Sequence, residues 1–452
     1  MKWLDWWRTF AATRKIADYF YGPRGVGVRI RVVRSLGVSL IFILVVLWSA
    51  CGQYYRPVAF PITPAPPNPN FLHVVLVLTA NGNSNAGAST TIDVSGDTAT
   101  SQSTVGIKPS YAALVDSATK VYVANSAEDT VSTFSPSIAT PVNVITLSAG
   151  STPNFVASTE AASVYVSNAG NGTVSAISIA NDVITNTIPV GGTPTAMAEM
   201  PNGQKLYVVN GATAAGNGSV VSINAIDKTL NLPVVASATA PWISPTWVVA
   251  RSDSQRVYVL DKGSGFVSTI DTNYDTVVGT ASVGVGADFM TYDPTLNRLY
   301  VTNPASNSLV ALNASTDDLS VGVLTASVAN PISVAALLDG TRVYVASASV
   351  SGTTVSSKVT VLNTAQLNVK TSISLSSVPL VCATGTWSEL SIAAAADSTR
   401  VYVGNCDASN TDVIQTSNDT LLLNIPAPFG GPISPPATKQ PLQNPVLVVA
   451  GP

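Results

Sequence analysis

The side chains able to do chemistry are few in this chain. Its 452 residues hold one histidine, His73, and three cysteines, Cys51, Cys382 and Cys406. A histidine-based metal site, a Ser-His-Asp triad and a Cys/His zinc site each need imidazoles or thiols in clusters that this sequence lacks. Calcium loops of the DxDxDG kind are missing too, and the isolated pair Asp317-Asp318 does not replace one. The expectation is a protein with no catalytic residues, no metal and no cofactor. A formal net charge of -3 argues against a nucleic-acid partner. What remains suits recognition. Trp242 (in APWISPTW) and Trp387 (in CATGTW) stand beside prolines and small residues, where aromatics either anchor a partner or cover the ends of strands. Trp247, from the first of these segments, is assigned to an inner strand and hence to the core. The other candidate binding set is Asn125, Asn168, Asn210, Asp261, Asn303 and Asn405, with Ser347 in the same series. These read either as turn residues bonding nearby backbone or as a polar ring at one mouth of a symmetrical fold.

Charge is unevenly spread. Residues 1–50 carry Lys2, Arg8, Arg14, Lys15, Arg24, Arg29, Arg31 and Arg34 against Asp5 and Asp18, whereas the remaining 402 residues hold 14 basic and 23 acidic side chains. Basic residues ahead of one apolar run, Val38 to Ala50 (VSLIFILVVLWSA), form the pattern of an export signal. The run falls short of the ~20 residues that a membrane-spanning helix needs. The following Trp48-Ser49-Ala50-Cys51-Gly52 resembles a bacterial lipobox, in which small residues precede a cysteine that receives lipid after cleavage. Ser49 and Ala50 fit that pattern; Trp48 stands where an aliphatic residue is usual. An uncleaved anchor is the alternative. Arg56 to Phe71 (RPVAFPITPAPPNPNF) then holds six prolines, which favour extended polyproline II and a stalk reaching up to roughly 60 Å. The organisation expected is a leader over 1–50, an anchor cysteine and stalk over 51–71, and a folded body over 72–452.

The body is a repeat. Val-Tyr-Val or Leu-Tyr-Val recurs at Tyr122, Tyr165, Tyr207, Tyr258, Tyr300, Tyr344 and Tyr402. Each copy closes on a member of the polar series and is followed by a turn and a second β-rich run such as Thr173–Ile177. A third run follows (VITNTIPV, Val183–Val190), then a Pro-containing connection and a small-apolar strand leading to the next tyrosine. No window after residue 70 sustains helical i, i+3, i+4 spacing. Four short strands per unit of about 43 residues make a β-propeller blade. The segments VYVANSAEDTVSTF, VYVSNAGNGTVSAISI and LYVTNPASNSLVALN resemble the YVTN-repeat β-propeller family of exported bacterial proteins. That resemblance covers about residues 72–450 and implies an all-β propeller, with seven blades as the family norm.

The ends of the repeat point to eight blades rather than seven. Leu76–Asn81 (LVLTAN) aligns with the tyrosine strand, putting Leu78 where Tyr122 sits, yet no first strand precedes it. The missing strand is Asn444–Gly451 (NPVLVVAG), after the Pro-rich segment 426–445. A ring must close because an open one exposes a sheet edge, so three N-terminal strands and one C-terminal strand are expected to share a composite blade.

With strands lettered a to d from the axis outward, the b–c turns and d–a connections lie on one face, and the a–b and c–d turns on the other. Cys382 and Cys406 then fall on the same face of the same blade, and in an oxidising compartment they are expected to form a disulfide. The tyrosines are expected to pack between blades. Two residues before them stand Lys120, Ser163, Lys205, Arg256, Arg298, Arg342 and Arg400, with Asp116, Asp253, Asp293, Asp339 and Asp397 in the same a–b turns. These read as solvated charge pairs or as a docking surface for an anionic partner. The family resemblance also brings lactonase-type propellers to mind, whose chemistry needs His, Arg and carboxylates around the channel; His73 lies near the first strand, with no recurring carboxylate beside it. The reading is a non-enzymatic, monomeric binding or scaffolding module of the bacterial cell envelope. It is held by an N-terminal lipid, as an outer-membrane lipoprotein facing the periplasm or the surface, with another envelope protein or polymer as partner. Alternatives are a lactonase-like hydrolase or periplasmic oxidoreductase, and a cell-surface adhesive protein.

Overall fold

The computed structural model describes residues 73–451 apart from 116–118, 138–141, 159–161, 214–215, 383–389 and 431–441. Cys51, Trp387 and Asp116 therefore lie outside the described residues, as do the leader and stalk. Eight antiparallel sheets of four strands each form an eight-bladed all-β propeller, and no helix occurs among the described residues. Blade 1 is composite: strands b, c and d are Val74–Asn81, Asn85–Asp93 and Thr98–Ile107, and strand a is Asn444–Ala450 from the far end of the chain. Val75 to Ala80 pair with Ala450 to Asn444 across that seam. Blades 2 to 8 are continuous, with innermost strands Pro109–Val115, Pro153–Ala157, Thr193–Glu199, Pro245–Ala250, Phe289–Asp293, Pro331–Ala336 and Leu390–Ala394.

The core lies between blades, where the alternating residues of two sheet faces interdigitate. All seven repeat tyrosines are fully buried there. Burial leaves each hydroxyl in need of a partner, and for all but Tyr300 the ring supplies it across the blade boundary. Tyr122 Oη donates to Asp182 Oδ1 at 2.5 Å, with Lys120 Nζ 2.7 Å from the same oxygen. Tyr207 and Lys205 share Asp275, Tyr344 and Arg342 share Asp419, and Tyr402 and Arg400 share Asp97. In each case the carboxylate belongs to the c–d turn of the next blade. It sits in the left-handed region, with φ between 51° and 59°, where Asp is tolerated better than most residues. The basic series is thus paired between blades. Asp253, Asp293, Asp339 and Asp397 instead accept backbone N–H groups of their own turns, and only Asp253 also meets an arginine, Arg251.

Three of the seven tyrosine boundaries depart from this scheme. At blades 5 and 6 Tyr258 Oη donates to the Ala314 carbonyl, while Arg256 pairs with Asp317 and with Asp271 of its own blade. At blades 3 and 4, Ser163 replaces the base and Lys228 replaces the acid, and Lys228 Nζ donates to Tyr165 Oη at 2.6 Å. The polarity of the latch is reversed there. At blades 6 and 7 the turn position is Leu367, and Arg298 bonds the Thr364 carbonyl.

Candidate functional site

Six innermost strands open on Pro-x-X: Pro109-Ser110-Tyr111, Pro153-Asn154-Phe155, Pro194-Thr195-Ala196, Pro245-Thr246-Trp247, Pro331-Ile332-Ser333 and Pro445-Val446-Leu447. Proline has no N–H to give to a ladder. In all six, pairing with strand b skips the middle residue, a bulge between Pro109 and Tyr111, for example, or Pro245 and Trp247. Bulges bend a strand and re-aim a side chain, and here they set the third residue at one level of the axial channel.

That level is lopsided. Blades 2, 3, 5 and 6 contribute Tyr111, Phe155, Trp247 and Phe289, blade 1 contributes Leu447, and blades 4, 7 and 8 contribute only Ala196, Ser333 and Ser391. The four rings touch in series: Tyr111 stacks on Phe155 at 3.9 Å between centroids, Phe155 meets Trp247 edge-on at 5.7 Å, and Trp247 meets Phe289 at 4.7 Å. Two adjoining cavities run from this arc toward the a–b face, of about 640 and 500 Å³, with Tyr111, Trp247 and Phe289 in the wall of both. The far wall of the larger one mixes small residues, notably Ser333, Ala335, Ser391, Ala393 and Ala450, with the aliphatic Leu447 and Val449 of blade 1. Its described lining holds no Asp, Glu, His, Lys, Arg or Cys. Burial pushes the Tyr111 hydroxyl up to about 12, so it stays a neutral donor at any physiological pH. Tyr292 Oη, on the same wall, donates to Asn297 Oδ1 at 2.6 Å. The smaller cavity adds Glu199, buried at the end of its strand.

The candidates named from sequence lie elsewhere. Asn125, Asn168, Asn210, Asp261, Asn303 and Asn405 are all buried and bond turns and adjacent strands, with Asn168 Oδ1 and Asn210 Oδ1 left unpartnered. Asn125, for example, accepts from Gly106 N at 3.1 Å and donates to Ser132 Oγ at 2.9 Å. A Cβ at Gly106 would sit 2.6 Å from the Asn125 side chain, so that close approach needs glycine. Asp261 accepts the N–H groups of Ser244, Gly263 and Ser264, and Asn405 bridges Ser357, Ser376 and Asp412. Trp242 is not an exposed anchor. It is buried, and its Nε1 donates to the Val234 carbonyl at 2.9 Å. The physical reason is local: the outer strand of blade 4 is only Thr229–Leu230, and Trp242 with Val234 covers the flank left bare. Trp247 does belong to an inner strand, and its ring helps to wall the channel. Cys382 and Cys406 are bonded, with Cα atoms 6.0 Å apart. They tie the d–a connection to the b–c turn beside the closing seam, where Asn444 Nδ2 donates to the Cys406 carbonyl. Among the described residues no three His, Cys, Asp or Glu side chains converge as a metal site.

No family model and no curated protein sequence matches the chain. Solved structures do. Hydrazine synthase of Kuenenia stuttgartiensis is 18% identical with a TM-score of 0.51, over 69% of this chain and 96% of that one. Apo AztD from Citrobacter koseri is 10% identical with a TM-score of 0.55, over 84% and 98%. The dihydro-heme d1 dehydrogenase NirN, in complex with DHE, is 10% identical with a TM-score of 0.58, over 84% and 75%. These likenesses establish the propeller scaffold, and a scaffold of this kind hosts many functions.

A second apolar feature lies on the rim. Ile226, Leu232, Val235 and Tyr274 are 76%, 85%, 80% and 77% exposed and surround a cleft of about 580 Å³ between blades 4 and 5. It flanks the same shortened outer strand that Trp242 covers. Tyrosine 274 and the three aliphatic residues were not singled out by spacing, because turn residues carry no period.

Proposed function

We propose that this chain is an exported, lipid-anchored β-propeller of the YVTN-repeat kind that works in the cell envelope as a non-catalytic binding module, with the axial cavity as its binding site. The carrying observation is the lining of the larger cavity: aromatic on one side, small and aliphatic on the other, and without an acid, base or thiol nucleophile in its described wall. Apolar pockets of roughly 300–1,000 Å³ with a few convergent hydroxyls are the usual form of small-molecule sites. General acid–base or nucleophilic catalysis would call for titratable groups within hydrogen-bond reach of a substrate. The leader, Cys51 and the Pro-rich stalk support the anchored location, and the Cys382–Cys406 bond suits an oxidising compartment.

The test is to recover the full chain from envelope membranes and identify co-purifying small molecules by mass spectrometry, beside a panel of lactone substrates. A ligand retained by the native protein and lost on filling the cavity supports the reading. Turnover of a lactone that is lost on altering Glu199 would overturn it. A scaffolding role is the second reading, favoured by the exposed apolar cluster around Ile226, Leu232, Val235 and Tyr274, since patches of this kind mark protein contact sites. Loss of an envelope crosslink in Leu232→Asp would favour it.

A further inference from the structure

Resting on the axial cavity as the binding site, we infer that its ligand is a flat, uncharged ring compound bearing a hydrogen-bond acceptor on its edge. Three observations carry this. First, the two walls differ in kind. The Trp247 and Phe289 rings meet at 4.7 Å, and the rest of the cavity is walled by Ser333, Ala335, Ser391 and Ala393 of blades 7 and 8 together with Leu447 and Val449 of blade 1. Aromatic surfaces favour offset-stacked or edge contacts with another ring, and the small side chains of blades 7 and 8 leave room for one beside them. Second, the described wall of the larger cavity has no charged side chain to compensate an ion, and a buried unpaired charge is costly. Third, Ser391 Oγ accepts from Val448 N at 3.0 Å, which leaves its own proton to donate. The Ser333 hydroxyl already donates to the Leu390 carbonyl, also at 3.0 Å. The small wall therefore offers a donor, and its complement on the ligand is an acceptor such as a carbonyl or ring oxygen.

The experiment compares two probes with one ring skeleton. N-Phenyl-1-naphthylamine is aromatic and neutral; 8-anilinonaphthalene-1-sulfonate adds one negative charge. Each is titrated into the full chain, with energy transfer from tryptophan to the probe as readout, and dodecanol is tested as a flexible, uncharged competitor. The neutral probe is expected to saturate at one equivalent and to bind at least about tenfold more tightly than the sulfonate. Ala393→Phe, which narrows the space from the small wall, and Trp247→Leu, which removes the ring surface, are each expected to weaken it by about tenfold, with melting temperatures reported beside the titrations. Preferential binding of the sulfonate or of dodecanol, sensitive to either variant, would overturn the ligand class and leave the cavity as a binding site. Binding of the neutral probe that ignores both variants would place the probe elsewhere and overturn the inference. If neither probe nor dodecanol binds, and no small molecule co-purifies from membranes, the binding reading itself fails.

Discussion

The latch between blades makes a prediction that separates two ways of pairing the basic residues. Arg342 has an acid in its own turn, Asp339, and another across the boundary, Asp419. In the structure Asp419 takes the bond from Arg342 and from the Tyr344 hydroxyl, and a third from Lys370 Nζ at 2.6 Å, while Asp339 bonds Thr341 of its own turn. The Asp419 side chain is 1% exposed, against 15% for Arg342 and 44% for Lys370. Removing one partner of a buried pair costs ~3–5 kcal/mol. Both cations here keep some access to water, which argues for the lower end, whereas the Tyr344 hydroxyl would be left buried and unpaired. Asp419→Ala is therefore expected to destabilise by about 3 kcal/mol, and at ~2.1 cal/mol/K of unfolding entropy per residue that is a fall of about 4 °C in Tm. Asp339→Ala is expected to cost no more than ~1 kcal/mol, the value of one turn hydrogen bond. Differential scanning calorimetry of the two variants decides between the pairings. Burial raises the Asp419 pKa, but Lys370, Tyr344 and Arg342 outweigh it and hold the carboxyl below its ordinary value. Its stabilisation is then fully present above the unfolded value of about 4 and is lost as pH falls through the lowered folded value. The gap between wild type and Asp419→Ala should accordingly close only in acid. Equal losses in Asp339→Ala and Asp419→Ala, or a gap that widens in acid, would refute the latch.

Lys228→Asp is expected to destabilise the reversed boundary, and adding Ser163→Lys should restore much of the loss, giving a favourable coupling energy in a double-mutant cycle read by urea unfolding. Replacing Cys382 and Cys406 together by serine should lower stability by about 3 kcal/mol in the chain-entropy model, and alkylation without reductant should leave both sulfurs of the folded wild type unmodified. Trp242→Ala is expected to cost roughly 3–5 kcal/mol as a buried large-to-small change while leaving probe binding in the channel unaltered; weakened binding with unchanged stability would contradict its covering role.

Much of the architecture was legible because propeller strands repeat locally. LVLTAN and NPVLVVAG betrayed the composite blade, and Cys382 and Cys406 fell on one face once strands were lettered. The latch was not legible for the opposite reason. Tyr122 and Asp182 are 60 residues apart, and docking of one blade on the next, rather than spacing within a turn, chooses the partner. The exception at Ser163 was visible, but its compensation at Lys228 made sense only in three dimensions. Trp242 was misplaced as a candidate anchor because its burial depends on the shortness of a neighbouring strand. The aromatic arc was missed although its signal was present: the repeated Pro-x-X opening of the inner strands would have aligned Tyr111, Phe155 and Trp247 at one level.

The composite blade has a consequence for how the chain is made. A polypeptide emerges N-terminus first, so Val74–Asn81 must wait for Asn444–Ala450 before its inner edge is paired. A chain that stops short of Asn444 can still build seven complete blades, yet it presents the unpaired edge of a buried, apolar strand at the axis. The seam thereby converts a length error of a few residues into an exposed sticky edge, the kind of surface that proteases and chaperones act upon. Closure of the ring thus depends on Asn444–Ala450 alone, and only a chain that carries this strand hides the inner edge of Val74–Asn81.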